Sequence, residues 1–292
     1  MRLVSHQLAH GSSLVLPSPA PGDESESLIA VVGGGRGCVF KAREALAGVW
    51  IPLHGRLHIG GGSADAALLA GELRVTEPEP NVIASGRGNA LWLALLGSRS
   101  AWRGILAGFA ELPPTDPPLL PAIHPADYGL RRCAIGLVRA LGNGTSDVAS
   151  DALIDRIVSL QHGLDDAVSR CPGRTHAQRR QVFLRLQRVR NYLATNCHLE
   201  VDNEALARMA SYSPWHFIRA FRAAYQQTPH AYLIEQRLWR ARRLLRSSPL
   251  AIAEIALASG FENRCAFSRL FRRRFGATAG AVRRGASPSL AS

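Results

Sequence analysis

No apolar run in this 292-residue chain approaches the roughly 18 residues that a membrane-spanning helix needs, so no membrane partner is expected. The N-terminus lacks the basic-then-apolar order of a secretory signal, and the charges after Pro21 are mostly acidic. Cysteine is sparse and scattered. Cys38, Cys133, Cys171, Cys197 and Cys265 are odd in number and share no CxxC spacing, which argues against a disulfide framework or a structural zinc site. Reduced thiols in a cytoplasmic protein are the expectation. No Ser/His/Asp or paired-carboxylate set stands out, so neither an enzyme nor a cofactor is expected. The run GGGRG at 33–37 lacks the spacing of a dinucleotide fingerprint or a P-loop, and no Lys-Ser/Thr follows it. It reads as a glycine-rich turn between strands. His54 and His58 fall on one face of a strand by spacing, but no Glu and third His stand in register, so no metal is expected.

Lysine is missing from residues 181–292, where every Lys/Arg cation is arginine. That stretch holds 18 Arg against 6 acids, a net charge of +12, whereas residues 1–180 carry only +1. The basic character therefore belongs to the C-terminal third and suits a polyanionic partner. Guanidinium forks match phosphate oxygens and guanine edges better than lysine does.

The length allows two domains, and a hydrophobic content of 47% allows a sizeable core. Residues 1–27 are polar and rich in small residues, an expected mobile arm. From 28 to 110 short apolar runs (LIAVV, GVWIPL, ELRV, ALWLALL) alternate with glycines, a pattern of an all-β barrel or sandwich. A helix at Ala64–Leu69 or Leu91–Leu96 is the alternative reading of such short runs. The Pro-rich ELPPTDPPLLP (111–121) opens a boundary and helical linker that extends to 177. Within it Leu153, Ile154, Ile157, Leu160, Leu164 and Val168 form one helical stripe, either packed on the barrel or offered to a second subunit. A helix at about Gln178–Thr195 has Phe183, Leu186, Val189, Tyr192 and Leu193 on its apolar side. Residues 178–285 form the next domain, and 286–292 an expected disordered tail.

That last domain repeats itself. Ala207 pairs with Ala256 at an offset of 49. Phe217/Phe267, Arg219/Arg269, Phe221/Phe271, Arg222/Arg272, Tyr225/Phe275 and Thr228/Thr278 then pair at an offset of 50. Each copy reads as a short helix, a tight turn and a longer helix: a helix-turn-helix. Ser213 with Pro214, and Asn263, are the expected starts of the longer helices. In the first copy Phe217, Ala220, Phe221 and Ala224 make a buried stripe. Trp215, Ile218, Arg219 and Arg222 lie on another face, an arrangement suited to the major groove of DNA. In the second copy Cys265, Ser268, Arg269 and Arg272 take those places, with Arg264 ahead of them. A solvated basic surface has no reason to keep its phase twice. Between the copies a helix at Pro229–Arg246, capped by Thr228, would be roughly 26 Å long. Successive major-groove faces lie about 34 Å apart.

The segments PWHFIRAFRAAYQQTPHAYLIEQRLWRARRLL and IAEIALASGFENRCAFSRLFRRRFG resemble the paired helix-turn-helix domain of the AraC/XylS family of bacterial transcription regulators. The family's spaced positions are met by Arg237, Ala241, Leu244, Leu245, Ile252, Glu254, Ile255, Ala256, Gly260, Phe261, Phe267, Arg269, Phe271, Phe275 and Gly276. Three places depart from the pattern: Ser211 where Gly is common, Gln226-Gln227 without the usual Gly, and Ala277-Thr278-Ala279 where Ser/Thr-Pro is usual. GVWIPLHGRL (48–57) resembles a barrel segment of the family's cupin-like sensor domain. The resemblance thus implies an α+β protein: a β-rich cupin-like barrel, a helical linker and an all-α C-terminal domain with two helix-turn-helix units. Carried over, the base-reading positions are Trp215, Ile218, Arg219, Arg264, Cys265, Ser268 and Arg269. His216, Arg222, Arg272, Arg273 and Arg274 are placed for phosphates. The implied partners are double-stranded DNA, RNA polymerase, a small-molecule effector and a second subunit in a homodimer, with activation the family's commoner habit.

Overall fold

The computed structural model describes residues 3–17, 27–61, 66–108, 119–143 and 147–285. Two compact units divide the chain, Met1–Ser169 and Arg170–Ser292. The first contains β1 (Leu3–Leu8), β2 (Ser13–Leu16), β3 (Leu28–Gly35), β4 (Val39–Ala42), β5 (Leu46–Gly60), β6 (Ala66–Leu69), β7 (Glu72–Glu79), β8 (Val82–Gly97), α1 (Arg99–Leu106), β9 (Ala122–Pro125), α2 (Tyr128–Asn143) and α3 (Asp147–His162). A short α4 (Asp165–Arg170) follows.

Two long strands organise this unit. β5 and β8 pair antiparallel from Ala47↔Gly97 to Gly60↔Ile83. β3 lines the second half of β8 and β4 the first half, while β7 and β6 divide β5 in the same way. Side chains alternate between two cores. Trp50, Trp92, Ala94 and Leu96 enter one with Phe40, and Trp50 and Phe40 meet edge-on at 6.2 Å. Val49, Ile51, Leu93 and Leu95 enter the other, under α1, α2 and α3. A sheet buried on both faces explains why GVWIPL and ALWLALL are continuous apolar runs. Trp102 of α1 donates its indole N–H to the carbonyl of Ala47 at 3.0 Å and pins that helix to β5.

Several expectations change here. Among the described residues the strand order β1-β3-β8-β5-β7-β9 is open, with no β1–β9 pairing, so the sheet there is not a closed barrel. One of its faces is covered by helices, and that cover takes the place of closure. The expected mobile arm contains two strands, because β1 and β2 add in parallel to β3 and β4. Residues 18–26 of that arm, the prolines of 111–118 and the tail 286–292 lie outside the described residues. Where a helix was the alternative, Ala66–Leu69 and Leu91–Leu96 are strand, and 64–65 lie outside the described residues. The stripe on α3 packs beneath the sheet through Leu153, Ile154 and Ile157. GGGRG ends β3 and turns into β4. A Cβ at Gly33 would come within 2.1 Å of the Trp92 ring, so that glycine makes room for the core indole.

His54 and His58 do not share a face by simple counting. Irregularities in the β5–β8 register flank His54, and Gly55 is left-handed (φ +71°). Trp50 and then Leu57 and Ile59 enter the same core, so the alternation has slipped by one residue. Among the described residues no three His, Cys, Asp or Glu gather as metal ligands.

The second unit is helical: α5 (His176–Asn196), α6 (Asn203–Met209), α7 (Pro214–Tyr225), α8 (Pro229–Ser247), α9 (Ile252–Ala258), α10 (Arg264–Phe275) and α11 (Ala279–Arg283). Thr175, Thr228 and Thr278 cap α5, α8 and α11 through their hydroxyls. Ala279 thus starts α11 without the proline that is usual there. Phe183, Leu186, Val189 and Leu193 of α5 are buried as expected, but Tyr192 is exposed.

The two helix-turn-helix units, α6–α7 and α9–α10, turn alike. Tyr212 N–H reaches Ala207 O at 2.9 Å, and Phe261 N–H reaches Ala256 O at 2.9 Å. The residue before each is left-handed: Ser211 (φ +57°) in the first, Gly260 (φ +89°) in the second. The longer helices also end alike, on Gln226 (φ +57°) and Gly276 (φ +67°). An L side chain in this conformation carries a steric cost that glycine avoids. Ser211→Gly and Gln226→Gly should each stabilise the second unit by about 0.5–1 kcal/mol. Gly260→Ala should destabilise it by more, since its Cβ would lie 2.8 Å from Arg237 Nε and 3.0 Å from Cys197 O. Hydrogen exchange at the α7 and α10 amides of the full-length protein, which reads the opening free energy, checks both signs.

Candidate nucleic-acid interface

Helix α7 turns Phe217, Ala220, Phe221 and Ala224 inward and leaves Trp215, His216, Ile218, Arg219 and Arg222 outside. Trp215 is 63% exposed and Ile218 37%. The inward rings interlock, Phe217 with Phe221 at 5.8 Å and Phe221 with Tyr225 at 4.7 Å. In α10 the corresponding pairs, Phe267–Phe271 and Phe271–Phe275, lie at 5.4 and 4.7 Å. Arg264, Cys265, Ser268, Arg269, Arg272 and Arg273 are all exposed on that helix. The two outer rows are therefore set by the same internal packing, and the phase legible in the repeat is a phase of the folded helices.

The helix starts differ. Asn263 accepts hydrogen bonds from Cys265 N and Ala266 N at 2.8 and 3.0 Å, as expected of an N-cap. Ser213 precedes α7 but makes no such bond to the backbone. Its hydroxyl engages His216 Nδ1 at 2.7 Å, which anchors the imidazole. His216 in turn meets the Trp215 ring edge-on at 5.0 Å, and the Arg219 guanidinium lies 5.3 Å from the same ring. A cleft of about 570 Å³ along this face is lined by Trp215, Ile218, Arg219, Arg222, Gln226 and Thr228. Gln226 and Thr228 are additions to the predicted set. The Thr228 cap was legible, but nothing in the sequence showed that either residue borders the row.

Arg274 stands apart from the row. Its Nη2 and Nε donate to Glu235 Oε1 at 2.7 and 3.2 Å, and its guanidinium lies 5.4 Å from the Trp239 ring and 5.7 Å from that of Phe275. It holds α10 to α8. Three further acids of this unit are similarly committed. Asp202 caps α6, Glu204 pairs with Arg208 at 3.8 Å, and Glu254 accepts from Ala251 N at 2.6 Å at the start of α9. Arg219, Arg222, Arg269, Arg272 and Arg273 have no carboxylate partner among the described residues. These guanidinium groups are free to meet an anion.

Residues 206–285 match the family described as a helix-turn-helix domain. The HTH-type transcriptional regulator GlxA of Rhizobium meliloti (strain 1021) is 45% identical over 84 residues, 29% of this chain and 26% of GlxA. Regulatory protein SoxS of Escherichia coli (strain K12) is 36% identical over 75 residues, 26% of this chain but 70% of SoxS. The chain belongs to the AraC/XylS family. Among solved structures, the DNA-binding domain of AdpA in complex with a target DNA is 34% identical, with a TM-score of 0.33, and the match covers 35% of this chain and 91% of that one. The chain spans about a quarter to a third of the length of the first curated relatives it matches. The helix-turn-helix match begins within α6 and runs just past α11, so it takes in both outer rows.

The second unit also sorts its thiols. Cys265 is exposed in the outer row of α10, whereas Cys171 and Cys197 are buried. Burial pushes the Cys171 thiol up to about 11, against a smaller opposing pull from Arg170, and burial raises Cys197 as well. A maleimide at pH 7.5 should therefore modify Cys265 within minutes and reach Cys171 and Cys197 only after unfolding. Peptide mass mapping over time checks this order.

Proposed function

We propose that this protein is a sequence-specific, double-stranded-DNA-binding regulator of transcription, and not an enzyme. Helices α7 and α10 enter successive stretches of major groove. The observation that carries this reading is the pair of outer rows: same phase, same aromatic backing, and arginines without carboxylate partners in both. Trp215 and Ile218 supply apolar surface for thymine methyls beside Arg219, which reads a base edge. In the second row Arg264, Cys265, Ser268 and Arg269 face the bases. His216, Arg222, Arg272 and Arg273 hold phosphates, which give affinity and salt dependence but no sequence information. The 19-residue helix α8 spans about 28 Å at 1.5 Å per residue and separates the two rows.

The first unit is, in this reading, a sensor for a small-molecule effector. It signals by favouring one arrangement of a homodimer, and the outcome is activation through RNA polymerase in the cytoplasm, as the family resemblance implies. An effector that did not bind the two arrangements unequally would change nothing.

Arg219→Ala and Arg269→Ala should each cost roughly 1–3 kcal/mol on a duplex selected from a randomised library by the full-length chain. Each should relax preference at different base pairs. Arg273→Ala should weaken selected and scrambled duplexes alike and reduce the salt slope by about one. Titrations at several salt concentrations measure all three; wild-type binding by both Arg219→Ala and Arg269→Ala would refute the reading.

A further inference from the structure

Helix α7 lies between two clefts. The first, on the side of Gln226 and Thr228, is described above. The second, of about 530 Å³, lies on the opposite flank and is lined by Arg170, Gly173, Tyr212, His216 and Ala220, and it shares Arg219 and Ala223 with the first. Residues 219 and 223, one helical turn apart, thus form the crest between them. A helix with its side chains is about 10–12 Å across, and the major groove about 12 Å wide. A helix seated there has a phosphate backbone rising on each side of it. Two flanking clefts of similar volume on either side of a central crest match that geometry.

The chemistry of the second cleft also matches. No carboxylate lines it. Arg170 is exposed, and its Nε donates to the carbonyl of Ala224 at 3.2 Å, near the end of α7. That bond fixes where the guanidinium stands relative to the helix and leaves its terminal nitrogens for another acceptor. The His216 ring is held from the other end of the cleft by Ser213. Tyr212 is positioned beneath the Arg185 guanidinium, 5.2 Å from the ring centre. Ala220 gives the cleft an apolar floor, and a charge-assisted hydrogen bond to an anion is stronger where water competes less.

We propose that this second cleft seats a backbone phosphate of the DNA, with Arg170 as its principal cation and His216 and Tyr212 closing its far end. The segment that precedes α5 then belongs to the DNA-binding surface, although it lies outside both helix-turn-helix units. The proposal rests on α7 being a major-groove helix. Arg170 positions that helix and reads no base.

The test is a methylphosphonate scan, one neutralised phosphate at a time, along a duplex selected from a randomised library. Full-length wild type, Arg170→Ala and Arg170→Lys are compared. One position beside the base pairs that depend on Arg219 should weaken wild type about fivefold or more and leave Arg170→Ala unaffected. Arg170→Ala should weaken selected and scrambled duplexes by the same factor, with base preference unchanged and a salt slope reduced by about one. Arg170→Lys keeps the charge without the planar fork that bonds Ala224, and it should restore the slope. An unchanged scan and slope in Arg170→Ala overturn the phosphate seat, as does a lowered slope that lysine fails to restore. Arg219→Ala in the same assay separates the two ideas. If it weakens the selected duplex while Arg170→Ala does not, the seat fails and the reading of α7 stands; if neither matters, both fail.

Discussion

Helix α8 belongs to two cores at once, and the paired architecture depends on that constraint. Its first turns give Tyr232 to the ring cluster of the first unit, 6.2 Å from Phe221. Its later turns give Leu238, Ala241 and Leu245 to the cluster around Phe267 and Phe271. Arg237, midway along, donates from Nε to Cys197 O at 2.7 Å and from Nη2 to Leu199 O at 3.0 Å. Those carbonyls close the C-terminal end of α5, where backbone acceptors have no partner within the helix. A second link, Arg240 Nε to Ala258 O at 3.0 Å, does the same for α9. Helix α5 and the second helix-turn-helix unit are thus tied to one rod by arginine side chains that bond backbone carbonyls.

Arginine accordingly does two jobs in this unit, and packing decides which. Arg190 lies over Tyr225 and Tyr232, at 4.9 and 5.0 Å from their centres. Arg242 lies over Phe275 and Trp239, at 4.8 and 5.2 Å. These two cover the aromatic stacks in equivalent ways, one per repeat. Their guanidinium faces are engaged by the aromatic stacks, whereas the outer-row arginines of α7 and α10 are exposed and, among them, Arg219 meets only the exposed Trp215 ring. Asp202 and Glu254 sit at helix starts, and Glu204 and Glu235 pair with Arg208 and Arg274, so these carboxylates stabilise the fold without pairing with the outer rows. Net charge alone does not distinguish these roles.

What was legible in the sequence follows from this. The repeat at offset 50 fixed the phase of both outer rows, because Phe217/Phe267 and Phe221/Phe271 can be buried only one way. The caps at Thr228 and Asn263 were readable for the same local reason. Arg274 was not, since nothing in a run of three arginines shows which one meets Glu235 across on α8. Ser213 looked like an N-cap, but a hydroxyl has one best partner, and His216 three residues on took it. In the first unit, strands buried on both faces lose the period-two signal that tells inside from outside. The slip at Gly55 then undoes any face assignment made by counting from Trp50 to His58. The edge strands β1 and β2 carried little signal because a strand paired on one side needs few buried positions.

The departures from the family pattern fall where they have a physical cost, and they fall unevenly. Both left-handed positions of the second helix-turn-helix, Gly260 and Gly276, are glycine; both of the first, Ser211 and Gln226, are not. The first helix-turn-helix therefore holds α7 between two strained ends, and the energy for this comes from the Phe217–Phe221–Tyr225 stack and its cover by Arg190. Gln226 and Thr228 border the cleft beside Trp215 and Arg219. A side chain at 226, which glycine would not provide, thus reaches the candidate interface. Strain kept at a position that also shapes a binding surface is readily explained by what the side chain contributes there. By that argument the first helix-turn-helix is the more easily opened of the two, while the second, with glycine at both left-handed positions, is the stiffer.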